Sequence, residues 1–423
     1  MKKFLFAAAP FFWGVSNSSF QVEGNPQPSD WSLFAKPGTA DRVTSFYEKY
    51  DRDFGLAQEL GANAFRLSVA WERIEPAPGV FNEDALDHYE KMIVALRARG
   101  LEPVVTLHHF VFPLWLAAQG GVLAPNFPAT FARFSEKVVG RLAKPPARVR
   151  MWMTFNEPMV LLHLGYLEGQ WPPARKGDAT STIEGAANLA RAHIEATRRI
   201  RALAPEAQVS IAQHWRLFHG KGFLGPLLAR LSDWVFNRQM VKALHTGRLS
   251  FWMPGGPWIR ETIPLPENRS TLDFLGLNYY GRMMVSFTFK APFVKVEEGP
   301  GPKSDLGWEI YPEGLTQVLK DADDYGLPIL ISENGIADAA DSRRANFLRN
   351  HIASMNEARR AGVPVMGYLH WSLTDNFEWA FALEPRFGLV AVDYATGRLT
   401  KRPSFETYRA LIKADRASPD PAR

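Results

Sequence analysis

The sequence predicts an α/β fold, a single-domain (β/α)8 TIM barrel with its functional site at the C-terminal ends of the strands. Short apolar runs rich in Val, Ile and Phe alternate with longer amphipathic stretches, which is typical of repeated βα units and a parallel sheet. The apolar runs number eight, and eight parallel strands close this kind of barrel. We therefore expect one barrel rather than two or three smaller domains.

Eight segments have the length and composition of buried parallel strands. By residue number they are 11–15, 64–68, 103–107, 149–155, 209–212, 274–278, 328–332 and 365–369. Helical patterns lie between and after them at 83–99, 131–142, 183–203, 314–325, 343–361 and 405–413. Gly100, Gly326 and Gly362 follow three of these helices, and a glycine there fits a helix C-cap. The barrel domain is predicted over residues 1–414, with a flexible tail at 415–423.

Residues 218–266 interrupt the alternation of strands and helices. The segment is apolar and rich in Gly and Pro, and it contains one predicted helix at 227–246. Two roles stay open for this excursion, a wall of the functional site or an interaction surface.

Composition excludes several classes of protein. Of the 423 residues 46% are hydrophobic and 22% charged, the balance of a globular protein with a large core. The net charge is +5, but Lys and Arg are dispersed, so no nucleic-acid partner is predicted. The absence of cysteine excludes disulfides, thiolate metal ligands and a cysteine nucleophile. No apolar run reaches the roughly 18 residues of a membrane span.

The N-terminus imitates a signal peptide. Two lysines precede the apolar residues 4–10, and Ala7, Ala8 and Ala9 resemble a cleavage site. The apolar stretch continues without a break into the first predicted strand, which favours a cytoplasmic protein. Cleavage after Ala9 would spare that strand, so export stays open as the alternative.

Two glutamates follow predicted strands on opposite sides of the barrel. Strand four ends in TFNEP, which contains Glu157, and strand seven ends in ISENG, which contains Glu333. Because polar residues after the strands of a barrel meet at one rim, these carboxylates are expected to share a pocket. Cleavage of a glycosidic bond uses such a pair, one as acid and one beneath the anomeric carbon. For retention of configuration they should lie about 5 to 5.5 Å apart.

The neighbouring His108 and His109 raise the alternative of a metal site. Adjacent side chains on a strand point to opposite faces, so the two imidazoles cannot bind one ion together. No metal site is predicted. No cofactor is implied either, because two carboxylates and water complete the chemistry.

Seven motifs give the chain a resemblance to glycoside hydrolase family 1, the β-glucosidase and β-galactosidase family. The motifs stand in the order of that family and cover nearly the whole chain. They are FWGVSNSSFQVEG at 12–24, FRLSVAW at 65–71, TLHHF at 106–110, TFNEP at 154–158, DFLGLNYY at 273–280, ISENG at 331–335 and YLHWSLTDNFEW at 368–379.

The resemblance implies a role for each matching residue. Glu157 would be the general acid/base and Glu333 the nucleophile, with Arg66 and Tyr280 contacting the nucleophile. Lacking such partners, Glu157 is expected to keep a raised pKa and to be protonated in the resting enzyme, with Glu333 ionised. The residues implied to bind the sugar are Gln21, His109, Asn156, Asn278, Trp371, Glu378, Trp379 and Phe387. Alternative interpretations are a structural ion pair for Arg66 and a core position for Trp371.

The function implied by the resemblance is an exo-acting retaining β-glycosidase that acts on O-linked β-glycosides by double displacement. A β-glucosidase is favoured, with β-galactosidase or β-fucosidase activity beside it. Family members that take 6-phosphoglycosides carry a small polar residue and cationic partners where this chain has Glu378 and Phe387, so unphosphorylated substrates are expected. The alternatives are a transglycosylase using the same site and a sugar-binding module without activity. Oligomeric state and natural aglycone stay open.

Overall fold

A computed structural model describes residues 10–41, 43–290 and 293–417 of the chain. Eight parallel strands form a closed barrel in which each strand pairs with the next one along the chain and the last strand pairs with the first. The predicted barrel is confirmed. Its strands are β1 Phe12–Ser16, β2 Ala64–Ser68, β3 Glu102–His108, β4 Met151–Asn156, β5 Gln208–His214, β6 Leu275–Tyr279, β7 Ile329–Asn334 and β8 Val365–Trp371.

Longer helices follow the strands. They are Phe46–Glu59, Glu83–Ala98, Phe127–Leu142, Ala179–Leu203, Gly225–Asp233, Gln239–Thr246, Glu313–Asp323, Arg344–Arg360 and Pro403–Ala417. Two of them begin four residues before their predicted starts, because their first turns precede the amphipathic pattern. In one of the two, the Asp178 side chain caps the helix by accepting a hydrogen bond from the Ser181 N–H at 2.9 Å.

Short helical segments complete the connections between these elements. The α-helical ones are Ser19–Val22, Asp30–Phe34, Trp71–Ile74, Leu114–Ala118 and Pro158–Leu162. The 3-10 segments are Gly121–Leu123, Pro266–Asn268 and Trp379–Phe381, and the π-helical ones are His163–Glu168 and Trp234–Arg238.

Apolar side chains fill the barrel interior. They come from all parts of the barrel and form one buried cluster, consisting of Phe12, Ala64, Val104, Met151, Met153, Ala212, Phe274, Leu330 and Leu369. This packed layer closes the barrel below the rim. The polar residues that follow it along each strand therefore face a pocket with a solid floor.

Register shifts interrupt the ladder on the two strands that carry the glutamates. On β4 the shift falls between Met153 and Asn156 in the pairing with β5. On β7 it falls between Ile331 and Glu333 in the pairing with β6. An irregularity of this kind changes which side chains face inward. In a regular strand every second side chain faces the interior, so an inward Leu330 would leave Glu333 facing outward. The register shift turns the Glu333 side chain back toward the interior.

The excursion after β5 contains more structure than the sequence predicted. The predicted helix at 227–246 is confirmed, although a π-helical turn at Trp234–Arg238 divides it. The strands Leu217–Lys221, Arg282–Phe287 and Val294–Glu298 form a three-stranded sheet, the side sheet, with Arg282–Phe287 in the middle. Two further strand pairs are Arg248–Phe251 with Ile259–Thr262 and Val390–Val392 with Leu399–Lys401.

Both ends of the chain lie partly outside the described residues. The signal-like segment 1–9 is outside them, and so is most of the predicted tail. The last helix runs to Ala417, so the first three residues assigned to that tail are helical. Within the described ranges no helix combines the length and the apolar composition needed to cross a bilayer.

Candidate active site

A pocket opens at the C-terminal rim of the barrel. It has a volume of about 920 Å³, including the open space at its mouth. Aromatic and polar side chains alternate around it, as in sites that bind small polar ligands. Ten of the predicted site residues line it, namely Gln21, His109, Asn156, Glu157, Tyr280, Glu333, Trp371, Glu378, Trp379 and Phe387.

Glu157 stands at the turn between β4 and the helix Pro158–Leu162. Its backbone has φ 42° and ψ 59°, a left-handed conformation that a non-glycine residue adopts at a cost. Its N–H donates to the Ala212 carbonyl on β5 at 2.7 Å, which anchors the turn to the barrel. The side chain is thereby held at the rim and faces the pocket.

Glu333 on β7 is held by two donors, one on β2 and one directly after β6. The Arg66 guanidinium, which is fully buried, contacts Oε1 of Glu333. The Tyr280 hydroxyl donates to Oε2 at 2.7 Å. Both oxygens of the carboxylate are therefore fixed, as the resemblance implied for Arg66 and Tyr280. A carboxylate whose two oxygens are bound in this way presents one defined orientation to a ligand in the pocket.

Arg66 also ties Glu333 to the other polar residues of the rim. It donates through Nη2 to Asn156 Oδ1 at 2.7 Å and through Nε to Thr106 Oγ1 at 3.1 Å. Asn156 Nδ2 in turn lies 3.1 Å from His109 Nε2. One buried cation thus connects residues of four strands, β2, β3, β4 and β7, and its planar fork suits this task better than an ammonium group.

Asn278 does not line the pocket as a sugar-binding residue would. It is fully buried on β6, behind the carboxyl group of Glu157. Its Nδ2 donates to Glu157 Oε1 at 2.7 Å and to Asn156 Oδ1 at 3.2 Å, while its own Oδ1 accepts from Ser332 Oγ at 2.7 Å. With all these bonds made inside the protein, its place is to hold Glu157.

Aromatic rings and amides form the wall around the Trp379 side of the pocket. Gln21 Nε2 donates to the Phe377 carbonyl at 2.8 Å and lies 3.4 Å from Glu378 Oε2. The His109 ring stacks between two indoles, with centroids 6.0 Å from Trp371 and 6.0 Å from Trp379. These side chains offer flat apolar faces beside hydrogen-bonding groups, which is what a sugar ring requires.

Phe387 and Trp371 pack together on another wall of the pocket. They form a small buried cluster that includes Tyr280 and Trp308 at its edge. The Phe387 ring lies 6.4 Å from Tyr280 and 6.1 Å from Trp308.

His108, next to the pocket residue His109, points away from the pocket into the packing between strands and helices, where its ring lies 4.4 Å from Phe112. The expectation that the two adjacent histidines face opposite sides is confirmed.

The expectation that Glu157 lacks partners is wrong. Besides Asn278, His214 at the end of β5 places Nδ1 3.4 Å from Glu157 Oε1. Burial favours the protonated carboxyl, but the charge and hydrogen bond of His214, with further help from Asn278 and Arg216, outweigh it and lower the pKa of Glu157. The raised pKa expected for this residue is thus also wrong.

The pKa of Glu333 is raised, which the sequence did not predict. It lies at about 7, chiefly because of burial and further because of the nearby charge of Glu157, while the Arg66 charge opposes the rise. Since the two carboxyls share one buried pocket, the ionised form of either one favours the proton on the other. Burial thus favours the protonated form of Glu333, while the partners of Glu157 favour its ionised form.

Glu378 is the third carboxyl in the pocket. Its pKa is raised to about 8, chiefly by burial and further by the charges of Glu333 and Glu157, while hydrogen bonds to Trp371 and Gln21 oppose the rise. Glu378 is therefore largely neutral at pH 7, and its carboxyl group can both donate and accept hydrogen bonds. This is a suitable partner for a sugar hydroxyl.

Sequence reasoning missed several pocket residues. His214 and Arg216 line the pocket after β5, and Trp171 and Trp308 line it from long loops. The rule that found Glu157, a polar residue at a strand end, would have found His214 if the predicted strand had not ended at residue 212. No pattern in the sequence singles out Trp171 or Trp308, because no strand or helix fixes their direction.

Fold and site together define a class of protein. A closed (β/α)8 barrel presents two glutamates, a buried arginine and a row of indoles in one rim pocket, and this arrangement belongs to enzymes that cleave glycosidic bonds. The sequence profile of Glycosyl hydrolase family 1 matches residues 5–224 and 260–417. The chain therefore belongs to glycosyl hydrolase family 1 and is a glycoside hydrolase with the retaining mechanism of that family.

Individual relatives agree with this membership. The chain is 32% identical to Beta-glucosidase A of Thermotoga maritima, over 95% of this chain and 97% of the relative. It is 31% identical to a Beta-galactosidase of Sulfolobus acidocaldarius, over 96% and 94% of the two chains. The solved beta-glycosidase from Pyrococcus horikoshii superposes with a TM-score of 0.86 at 34% identity, over 95% of this chain and 94% of that one.

Proposed function

We propose that the protein removes single sugars from the non-reducing ends of O-linked β-glycosides, with Glu333 as nucleophile and Glu157 as general acid/base. The observation that carries the proposal is the pair of donors on Glu333, since Arg66 and Tyr280 orient both of its oxygens. Glu157, at the facing strand end, has amide and imidazole partners that are compatible with either protonation state. The two carboxyls are therefore suited to different roles.

The reaction proceeds in two steps. In the first, the proton shared by the pair lies on Glu157, which protonates the leaving oxygen while Glu333 attacks the anomeric carbon. The bond from the anomeric carbon to the leaving oxygen breaks as the bond to Glu333 forms. In the second step Glu157 takes a proton from water, whose oxygen displaces Glu333 and releases the sugar. His214 favours the ionised Glu157 that this step requires.

The preferred sugar is proposed to be glucose, with galactose and fucose as further substrates. The relative from Thermotoga maritima is named for β-glucosidase and the one from Sulfolobus acidocaldarius for β-galactosidase activity. Glu378 and Phe387 offer a carboxyl group and a ring rather than a cation, which supports unphosphorylated sugars. A panel of chromogenic β-glycosides tests this ranking, and efficient cleavage of a 6-phosphoglucoside would contradict it.

Removal of the nucleophile gives the sharpest test of the assigned roles. Glu333→Ala is expected to lower kcat by at least about a thousandfold with a chromogenic β-glucoside, because the covalent step is lost. Added azide should then restore turnover, and the product should be the α-glycosyl azide, since azide attacks from the face that Glu333 occupied.

Glu157→Ala is the matched variant. Azide should rescue it as well, but through the glycosyl-enzyme, so that the product is the β-glycosyl azide. The two anomers are distinguished by NMR. If Glu333→Ala gave the β-azide, or if azide had no effect on it, the assignment of the nucleophile would be wrong.

A cytoplasmic location is proposed for the protein. Its support is the apolar stretch of the N-terminus, which leads directly into β1 at Phe12–Ser16. N-terminal sequencing of the protein isolated from its host tests this, since a chain that begins at Pro10 would indicate cleavage and export.

A further inference from the structure

The described part of the chain exposes thirteen large hydrophobic side chains, and most of them lie in one region. Six are spread elsewhere, singly or as a neighbouring pair, as is normal for a protein surface. The other seven belong to the side sheet and the helix beside it, and we call them the apolar tip. They are Phe223, Leu224, Leu227, Phe287, Phe289, Phe293 and Val296.

The strand pairing brings these residues to one end of the side sheet. Ser286 pairs with Lys221 on one side and Lys295 on the other, so Phe287 and the residues after Lys221 leave the sheet at the same end. The rings of Phe287 and Phe289 lie 5.0 Å apart. The N–H of Thr288 donates to the Phe293 carbonyl at 3.1 Å, which closes this end.

The helix Gly225–Asp233 adds its first turn to the same end. It starts so close to the sheet that a Cβ on Gly220 would lie 2.1 Å from the Gly225 carbonyl carbon. Phe223 and Leu227 extend from this contact, and they are 99% and 67% exposed. Phe289 is 90% exposed. Side chains as free as these stand clear of the surface and form no groove.

Positive charges outnumber negative ones around the apolar tip. Residues 217–232 contain Lys221 and Arg230 and no Asp or Glu, and residues 283–296 contain Lys290 and Lys295 and no Asp or Glu. All four cations are exposed. The first acidic residue after them is Glu297, which pairs with Lys295 at 2.5 Å. A partner for this region must therefore accept protruding apolar side chains and carry negative charge.

These two requirements decide between the partners. A second copy of the chain would bring the same cations against themselves, which disfavours self-association through this face. Single-stranded nucleic acid binds along grooves with stacking platforms, and the apolar tip has none. The surface of an anionic bilayer takes up aromatic and aliphatic side chains at the headgroup level and attracts the surrounding lysines.

The apolar tip is connected to the active-site pocket by the same strands. Met283, near the start of the middle strand Arg282–Phe287, lines the pocket, as does Arg216, which directly precedes the strand Leu217–Lys221. Strands of five or six residues span about 15 to 20 Å. Contact between the apolar tip and a flat surface would thus place the pocket wall about that far from it.

We propose that the apolar tip docks the protein peripherally on anionic lipid surfaces, with Phe223, Phe289 and Phe293 entering the headgroup region. Lys221 and Lys290 then face the lipid phosphates. The binding is reversible and depends on both parts, because a few side chains give too little apolar area for a permanent anchor. Salt weakens the electrostatic part and leaves the apolar part unchanged.

Sedimentation with lipid vesicles tests the proposal. The full chain is expected to sediment with vesicles in which a third of the lipid is phosphatidylglycerol and the rest phosphatidylcholine, and much less with phosphatidylcholine alone. The triple variant Phe223→Ser, Phe289→Ser and Phe293→Ser should lower the partition coefficient by at least about tenfold. Lys221→Glu with Lys290→Glu should lower it on the anionic vesicles only.

The matched control replaces two exposed apolar residues away from the tip. Leu33→Ser with Val80→Ser should leave binding unchanged, and the melting temperatures of all variants show that they are folded. Failure of the wild-type chain to sediment with anionic vesicles would overturn the proposal, as would equal binding by the triple variant. If the wild-type chain forms a concentration-dependent dimer that the triple variant loses, the apolar tip binds a second copy of the chain instead. If the chain is retained on single-stranded DNA and does not bind vesicles, the apolar tip binds nucleic acid instead.

Discussion

Glu157 and Glu333 have identical side chains, and their neighbours make them different. Glu333 receives a cation and a phenol, one on each oxygen. Glu157 receives the Asn278 amide and the His214 ring on the same oxygen, Oε1, and faces the pocket with the rest of the group. The neighbours of Glu157 lower its pKa and burial raises that of Glu333, so the proton of the pair responds to small changes around either residue.

Replacement of His214 is the test at this scale. His214→Asn removes the ring that stabilises the ionised Glu157, so Glu157 should hold its proton to higher pH. We expect the alkaline limb of the kcat/KM profile to move upward by about one pH unit with an unactivated β-glucoside. The pH profile measured against the wild type checks this.

The control for this prediction is His219→Asn. His219 lies on the side sheet and does not line the pocket, so its profile should coincide with that of the wild type. If the alkaline limb of His214→Asn stays in place or moves down, His214 does not act on Glu157 in the free enzyme.

The site residues were predictable where a short motif ends a strand, as TFNEP and ISENG do. The partners that set the protonation of Glu157 and Glu333 were less predictable. Asn278 was placed among the sugar-binding residues, although a buried amide that contacts Glu157 has its bonds filled inside the protein. Whether a polar side chain faces the ligand or supports another residue depends on distances of a few ångströms between strands, which the sequence does not contain.

At the level of elements, the backbones of β7 and β8 approach each other closely at the rim. A Cβ on Gly335, directly after β7, would lie 1.8 Å from the carbonyl oxygen of Trp371 at the end of β8. Only glycine allows the two backbones to approach this closely. The close approach brings Glu333 and the Trp371 indole into one pocket.

Gly335→Ala should therefore destabilise the protein by about 3 kcal/mol, because backbone atoms rather than a flexible side chain must move. Urea unfolding measures the change. Gly55→Ala is the matched control, since Gly55 lies in the helix Phe46–Glu59 with no atom within 4 Å of an added Cβ. It should stabilise the protein by about 0.5 kcal/mol. Equal effects of the two changes would contradict the role given to Gly335.

The barrel elements were predicted closely, because each strand and helix has a period of its own in the sequence. The first turns of two helices were missed, since caps such as Asp178 precede the amphipathic pattern. The side sheet was missed for a different reason. Its strands are short and partly exposed, so their composition matches that of a loop.

For the whole molecule, buried ionisable groups determine how stability depends on pH. Five carboxyls have pKa values raised to about 7 or 8, chiefly by burial. Glu23, Glu72, Glu333 and Glu378 are buried, and Asp30 is half-buried. Six histidines have lowered pKa values, also chiefly by burial. His108, His109, His193, His351 and His370 are buried, and His163 is half-buried.

The two sets act in opposite directions, and their pH ranges overlap below about pH 6.5. Below about pH 6.5 the unfolded chain binds protons on histidines that stay neutral in the fold, so the contribution of the histidines to stability rises with pH there. Between their ordinary and raised pKa values the carboxyls hold protons only in the fold, so their contribution falls as pH rises. Above about pH 7 only the carboxyls remain, and we expect the melting temperature to fall toward pH 9.

Glu72→Gln isolates one of these carboxyls away from the pocket. Glu72 is buried in the helix Trp71–Ile74, and its pKa is about 8. The amide of the variant does not ionise, whereas the carboxyl of the wild type does at high pH. The free energy of unfolding of the variant relative to the wild type should therefore be about 2 kcal/mol larger at pH 9 than at about pH 6. Denaturant unfolding at both values measures this. Glu184→Gln, at an exposed position, should show no such gain.

The register shifts on β4 and β7 separate what the barrel needs from what the reaction needs. The packed interior of the barrel lies below these shifts and does not depend on them. In a chain redesigned with perfectly regular strands, Glu333 would leave the pocket and the arrangement of side chains around Asn156 would be lost. Selection of designed sequences for stability alone would therefore yield a stable barrel without activity. A redesign of this protein should keep the two register shifts unchanged.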